Sequence, residues 1–90
     1  MEVKVKDNAI VIQLDKKAVA NIMFHIEGNR MHLDSTYTPE QYRGRGIGSE
    51  LVQVAMKYAK DKGLLIVPVC AFAVEYFKKH PEYGDVLYRG

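Results

Sequence analysis

The first 38 residues alternate apolar and polar side chains with a period of two, which predicts β-strands. Short polar or glycine-containing turns separate the alternating stretches: Asp7-Asn8 follows the first, and Glu27 to Arg30 separates the last two. The pattern predicts four strands, at about Val3–Val5, Ile10–Leu14, Val19–Ile26 and Met31–Thr38.

The turn between the third and fourth strands suggests a register in which Ile26 pairs with Met31. One face of the pair is then expected to be core: Ala20, Ile22, Phe24, Ile26, Met31, Leu33, Ser35 and Tyr37. The other face is half polar, and we expect it to be only partly covered: Asn21, Met23, His25, His32, Asp34 and Thr36.

The second half of the chain changes to a helical period. Apolar residues from Ile47 to Ala59 recur at helical spacing, and Gly63 is a natural stop. The apolar run Leu64–Val69 predicts a strand buried on both faces and parallel to its neighbour. A short helix over Ala71–His80, ended by Pro81, and a last edge strand over Tyr83–Tyr88 complete the prediction. The order is β-β-β-β-α-β-α, an α/β fold with a mixed sheet of five to six strands and two helices.

Composition indicates one ordinary globular domain over residues 1–90, with 48% apolar and 27% charged residues. The net charge of +2 is too small to favour binding of nucleic acid. The basic residues Lys57, Lys60 and Lys62 are expected to lie on the solvent-exposed face of a helix. The apolar runs are too short to cross a membrane. A single cysteine and the absence of a signal-like start predict a cytoplasmic protein.

The segment Arg43-Gly44-Arg45-Gly46-Ile47-Gly48 carries the clearest chemical signal. It joins a strand to a helix, and its alternate glycines allow the backbone to approach a ligand closely. The first N–H groups of the helix and two arginines suit a diphosphate. The loop has neither the Gly-Lys-Ser/Thr of a P-loop nor the spacing of the dinucleotide fingerprint. A glycine-rich turn without a ligand is the alternative interpretation.

On these residues the chain resembles the GNAT superfamily of acetyl-CoA-dependent N-acetyltransferases. The signature Arg/Gln-x-x-Gly-x-Gly/Ala is matched by Arg43, Gly46 and Gly48. The family's Asn-x-x-Ala-x-x-x-Tyr on the last helix is matched by Ala73 only, because Cys70 and Phe77 take the other two places. The segment from Thr38 to Tyr83 also resembles a subfamily of minimal GNAT-like proteins with a cysteine after the fifth strand. These have a truncated GNAT-like fold, without the helices that are usual between the first two strands.

The resemblance implies a site for acetyl-CoA as co-substrate. Backbone groups of the fourth strand would bond the pantetheine arm and acetyl carbonyl, the loop and first helical turn would hold the pyrophosphate, and the last helix would lie near the thioester. The implied residues are Thr36, Tyr37, Thr38, Arg43, Gly44, Arg45, Gly46, Ile47, Gly48, Ser49, Cys70 and Phe77.

The catalytic group is less clear from the sequence. Many GNAT enzymes use a tyrosine to protonate the departing sulfur, and its place here is Phe77, with Tyr76 on another side of the helix. Cys70 opens a helix, a position that makes a thiol more reactive, so it is the candidate proton donor or acetyl acceptor. The alternative is a small thiol that only packs.

The histidines are ambiguous as well. His25, His32 and Asp34 could bind a metal or act as a base, but the spacing has no metal signature, and we expect a polar pair and no metal. Three functions therefore stay open: an N-acetyltransferase acting on a primary amine, which could belong to a protein; a non-catalytic acetyl-CoA-binding module; and a binder of other anions or nucleic acid.

Overall fold

The computed structural model describes residues 2–90. Five strands form one sheet in chain order: β1 (Glu2–Val5), β2 (Ala9–Gln13), β3 (Val19–Glu27), β4 (Arg30–Tyr37) and β5 (Leu65–Pro68). Neighbours from β1 to β4 are antiparallel, and β5 is parallel to β4. The helices are α1 (Ile47–Lys62) and α2 (Ala71–Lys79), and 3₁₀ turns cover Glu40–Tyr42 and Pro81–Val86. The predicted α/β fold with a mixed sheet and two helices is confirmed.

The core lies between α1 and one face of the sheet, because both present an apolar surface there. Helix α1 buries five side chains on one side, as its helical period predicted, and α2 adds three more. Gly63 ends α1 in the left-handed conformation, with φ of 69°. The core side chains are Ile10, Ile12, Ala20, Ile22, Phe24, Met31, Leu33, Ile47, Leu51, Val52, Ala55, Ala59, Ile66, Ala73, Tyr76 and Phe77.

The predicted register of β3 and β4 holds only as far as Leu33. Ile26 pairs with Met31 and Phe24 with Leu33, but Met23 pairs with Ser35, so Asp34 is an extra residue in β4. This β-bulge exchanges the two faces of the rest of the strand. The assignment of Ser35 and Tyr37 to the core face was therefore wrong: both are exposed.

Three other details differ from the prediction. Ile26 lies on the core face but is 42% exposed. In β5 only Ile66 is buried, so this strand is not covered on both faces. The predicted edge strand Tyr83–Tyr88 is wrong, because most of it forms a 3₁₀ segment and only Leu87 bridges to the sheet, at Ile66. The sheet therefore has five strands. Within residues 2–90, no helix combines the length and apolarity needed to cross a bilayer.

Candidate functional site

A cavity of about 580 Å³ lies where the end of β4 meets the first turns of α1 and α2. Its volume is in the range of small-molecule sites. The lining residues are Thr36, Tyr37, Thr38, Tyr42, Arg43, Gly44, Gly46, Ile47, Gly48, Ser49 and Phe72.

One wall of the cavity is a strand edge without a neighbouring strand. The β4–β5 ladder ends at the pair Leu33 and Pro68. Proline has no N–H to continue a ladder, and the next two N–H groups, of Val69 and Cys70, both donate to the Leu33 carbonyl at 3.1 and 3.0 Å. Beyond Leu33, β4 pairs only with β3. Its other edge therefore offers backbone N–H and C=O groups near Thr36 and Thr38.

The second wall is the N-terminus of α1. Gly46 caps the helix with φ of 79° and no side-chain hydrogen bond. The first intrahelical bond is from the Glu50 N–H to the Gly46 carbonyl, at 3.0 Å. The N–H groups of Ile47, Gly48 and Ser49 thus have no acceptor within the helix and carry its positive dipole end. This arrangement suits a phosphate group.

Hydrogen bonds hold the loop that enters α1. The Tyr42 hydroxyl donates to the Asp15 carboxylate at 2.5 Å, and the Arg43 Nε donates to the Thr38 carbonyl at 2.9 Å. The Tyr42 bond lowers the pKa of Asp15, aided by backbone N–H donors, and the same bond raises the pKa of Tyr42. Tyr42 therefore stays protonated, and its hydroxyl proton points at the ionised Asp15 carboxylate.

Most residues implied by the sequence lie together at this cavity. The nine that line it are Thr36, Tyr37, Thr38, Arg43, Gly44, Gly46, Ile47, Gly48 and Ser49. The other three lie elsewhere: the Arg45 guanidinium is 5.3 Å from the Tyr42 ring centre, Cys70 is the N-cap of α2 and packs against the core, and Phe77 is buried. The binding roles of all twelve stay predictions.

Two lining residues were not among those chosen from the sequence. Phe72 lies in the first turn of α2, and its ring contacts the first turn of α1 at Gly48. Tyr42 precedes the glycine-rich stretch and connects it to Asp15, 27 residues away. An aromatic residue two positions after Cys70 was the available signal for Phe72, but the direction of its side chain depends on how the two helices pack.

A second polar cluster lies on the strand pair β3–β4, among residues that do not line the cavity. It contains His25, Glu27, His32 and Asp34. Hydrogen bonds to Asp34 and then to Glu27 raise the pKa of His25, and the bond to His25 lowers the pKa of Glu27.

Comparison with known proteins agrees with this fold. The family model described as GCN5-related N-acetyl-transferase matches residues 9–86. The chain belongs to this family. The match includes β2 to α2 and the whole cavity lining, and it confirms the resemblance read from the glycine-rich loop. The family and the fold are those of acyltransferases.

Two known proteins are similar to this chain, one in structure and one in sequence. A GCN5-like protein from Staphylococcus aureus, assigned to the N-acetyltransferases, has a solution structure that superimposes with a TM-score of 0.79 at 28% identity, over 97% of this chain and 87% of that one. A Methanocaldococcus jannaschii tritrans,polycis-undecaprenyl-diphosphate synthase (geranylgeranyl-diphosphate specific) is 33% identical over 84 residues. That match covers 93% of this chain but spans only 29% of the synthase.

Proposed function

We propose that the protein binds acetyl-CoA in the cavity beside α1 and transfers the acetyl group to a primary amine. The observation that carries the proposal is the N-terminus of α1, which has no side-chain cap and whose first N–H groups lie at the same cavity as the unpaired edge of β4. A diphosphate needs the first feature, and an extended amide-containing arm needs the second. Family membership supports the same ligand.

The ligand would lie along the two walls in a fixed direction. The pyrophosphate takes the N–H groups of Ile47, Gly48 and Ser49, with Arg43 beside it. The pantetheine arm runs along β4 from Thr38 toward Thr36, where its amides find backbone partners. The thioester then reaches the gap in which β4 and β5 part.

The reaction forms an N–C bond to the acetyl carbon and breaks its C–S bond. Backbone N–H groups of β4 stabilise the oxygen of the intermediate. Within the described chain, no carboxylate or imidazole lines the cavity, and the Tyr42 hydroxyl is held by Asp15. The amine must therefore arrive neutral or lose its proton to water, and the thiolate gains a proton from solvent or from the Cys70 thiol.

The side chains that line the cavity favour a second function, binding of acetyl-CoA without turnover. A cavity lined only by hydroxyl, aromatic, apolar and arginine side chains, with glycines, holds the ligand but supplies no strong base. In that case the protein would act as a sensor or as a subunit of a larger assembly. The acceptor, where there is one, is an amine that has access to an open site, such as one on a protein.

A two-stage experiment tests the proposal. Backbone NMR shifts during titration with acetyl-CoA should be largest at Gly44 to Ser49 and at Thr36 to Thr38. Release of the CoA thiol is then followed with a panel of amines, including lysine peptides and polyamines. Shifts with turnover support the transferase, and shifts without any turnover support the binding module. No shift in either segment at saturating acetyl-CoA contradicts both.

A further inference from the structure

Two histidines and a glutamate lie side by side on the strand pair β3–β4. His25 and His32 are directly opposite each other in the ladder, and their rings stack with centres 4.5 Å apart and planes 10° from parallel. Glu27 is two residues beyond His25 and so lies on the same face of β3. One ligand atom from each residue lies within 4.8 Å of the others.

A fourth residue, Asp34, orients the first histidine. The Nδ1 of His25 lies 2.6 Å from a carboxylate oxygen of Asp34, and its Nε2 lies 2.9 Å from one of Glu27. A proton on Nδ1 directed at Asp34 leaves Nε2 as the nitrogen available to an ion once Nε2 gives up its own contact with Glu27. Metal-binding histidines commonly have such a carboxylate behind them, because it fixes the tautomer and makes the ligand more basic.

His32 supplies an independent observation. Its Nε2 is buried and has no hydrogen-bond partner in the described chain, and the nearest Glu27 oxygen is 3.9 Å away. Buried nitrogen atoms are nearly always satisfied, so an exception calls for an explanation. A polar cluster with His25 between two carboxylates accounts for the contacts of His25 but leaves the His32 nitrogen unpaired.

We propose that His25, Glu27 and His32 form a binding site for a divalent transition-metal ion of intermediate softness, with Zn²⁺ the first choice. The ligands would be the two Nε2 atoms and a Glu27 carboxylate oxygen, with water or another group in a fourth position. Imidazole nitrogen selects zinc, copper, nickel or cobalt over magnesium and calcium, which prefer oxygen ligands.

Binding requires one local rearrangement. The stacked rings hold their nitrogen lone pairs in parallel planes, so both cannot point at one ion until a ring turns. The His25 side chain is 48% exposed and that of His32 only 18%, so His25 is the ring that turns. Metal binding therefore breaks the His25–Glu27 hydrogen bond and the ring stack. The partly exposed Asp34 carboxylate follows Nδ1 of the turning ring, so their hydrogen bond is kept, and His32 stays in place.

The test uses the full chain without a histidine tag. Zn²⁺ is titrated by calorimetry, Co²⁺ by visible absorption, and imidazole ¹⁵N shifts identify the nitrogens that bind. The variants are His32→Gln and His25→Gln, with Asp34→Asn behind the site. His80→Gln is the matched control, because His80 also pairs with a carboxylate, Glu82, at 3.0 Å but has no second histidine. Cys70→Ser removes the only thiol.

We expect one Zn²⁺ per chain and shifts at Nε2 of both cluster histidines. The Co²⁺ spectrum should be that of a four-coordinate site without a sulfur ligand. His25→Gln and His32→Gln should each abolish binding, and Asp34→Asn should weaken it about 10- to 100-fold. His80→Gln and Cys70→Ser should bind as the parent does. Retained binding in either cluster variant, or zinc shifts confined to Cys70 and His80, overturns the proposal. His25→Gln changes a half-exposed side chain and should fold, so its zinc affinity tests the proposal even if His32→Gln does not fold.

Discussion

The first turn of α1 and the first turn of α2 meet through Gly48 and the ring of Phe72. A Cβ atom on Gly48 would lie 2.6 Å from the Phe72 Cζ, closer than any real contact. The lack of a side chain at Gly48 therefore lets the Phe72 ring lie over the start of α1. Phe72 is 40% exposed, so its ring can rotate away from a side chain placed at position 48 without any movement of the backbone.

The first prediction concerns this contact. Gly48→Ala should fold, because the better helix propensity of alanine, about 1 kcal/mol, offsets part of the crowding. It should weaken acetyl-CoA binding about tenfold by displacing the ring from the cavity. Phe72→Ala should weaken binding to a similar extent, and the double variant should be no worse than either single one. Calorimetric titration of all four proteins measures this coupling. Losses that simply add would show that the new methyl group blocks the ligand directly.

A second prediction separates backbone strain from loss of the phosphate site. Gly46 and Gly28 both have a left-handed backbone, with φ of 79° and 59°, and a Cβ on either meets nothing within 4 Å. Alanine at either position should reduce the free energy of unfolding by about 1–2 kcal/mol. Only Gly46→Ala should weaken acetyl-CoA binding, by about tenfold, because relief of strain there re-aims the first N–H groups of α1. Equal affinities of the two variants would argue against a phosphate at this helix end.

The third prediction concerns charge at the loop. Arg43 lines the cavity and is anchored to the Thr38 carbonyl, whereas Arg45 lies over the Tyr42 ring. Arg43→Ala should weaken CoA about 10- to 100-fold, the effect of one charge-assisted bond, and leave the affinity for pantetheine without phosphates nearly unchanged. Arg45→Ala removes the same charge and should weaken CoA less. Equal losses in the two variants would indicate a long-range charge effect without direct contact.

A fourth prediction follows from the Tyr42–Asp15 hydrogen bond. This bond and two backbone donors lower the pKa of Asp15 below its ordinary 3.8. A lowered folded-state pKa gives stabilisation that is present above the unfolded pKa, about 3.9, and is lost as the pH falls through the folded value. Tyr42→Phe should therefore raise the Asp15 pKa in carboxyl NMR titrations, and lower the Tm at pH 7 more than at pH 3. Tyr88→Phe, far along the chain, is the control. A Tm difference for Tyr42→Phe that does not change with pH would contradict the assignment.

The sequence predicted those parts of the fold that repeat a local pattern. Strands β1 to β4 alternate, and α1 repeats at helical spacing between Ile47 and Gly63, so periodicity located them. The loop was singled out because its spacing of arginine and glycine favours an anion site over a plain turn. The structure places most of the loop at the cavity, and the bound anion stays a prediction.

The remaining features depend on contacts between distant segments. The bulge at Asp34 had no signal, because Asp34, Ser35 and Thr36 are all polar and no apolar residue marks the core face after Leu33. The pattern of Tyr83–Tyr88 resembles a strand, but the chain after Pro81 packs as a 3₁₀ segment. The position of Phe72 opposite Gly48 depends on how α1 and α2 pack, which periodicity does not determine.

Cys70 lies at the junction where β4 and β5 separate. Its N–H donates to the Leu33 carbonyl at 3.0 Å, and its partly buried side chain packs against the core. It caps α2 but does not itself line the cavity. An acetyl group that enters the gap between β4 and β5 would cover this junction.

The fifth prediction is that acetyl-CoA protects Cys70 from alkylation, measured by intact mass at saturating ligand. Adenosine 3′,5′-bisphosphate is the control, because it has phosphates but no pantetheine arm and should not protect the thiol. An unchanged alkylation rate with acetyl-CoA would leave Cys70 as a packing residue only. Protection alone does not make the thiol catalytic. If Cys70→Ser and Cys70→Ala both keep full transfer activity, Cys70 only lies near the thioester, and backbone N–H groups and solvent carry the reaction. Loss of activity with unchanged acetyl-CoA affinity in both variants would assign a chemical role to the thiol, and an acetyl mass on Cys70 of the parent protein would distinguish acetyl acceptance from proton transfer.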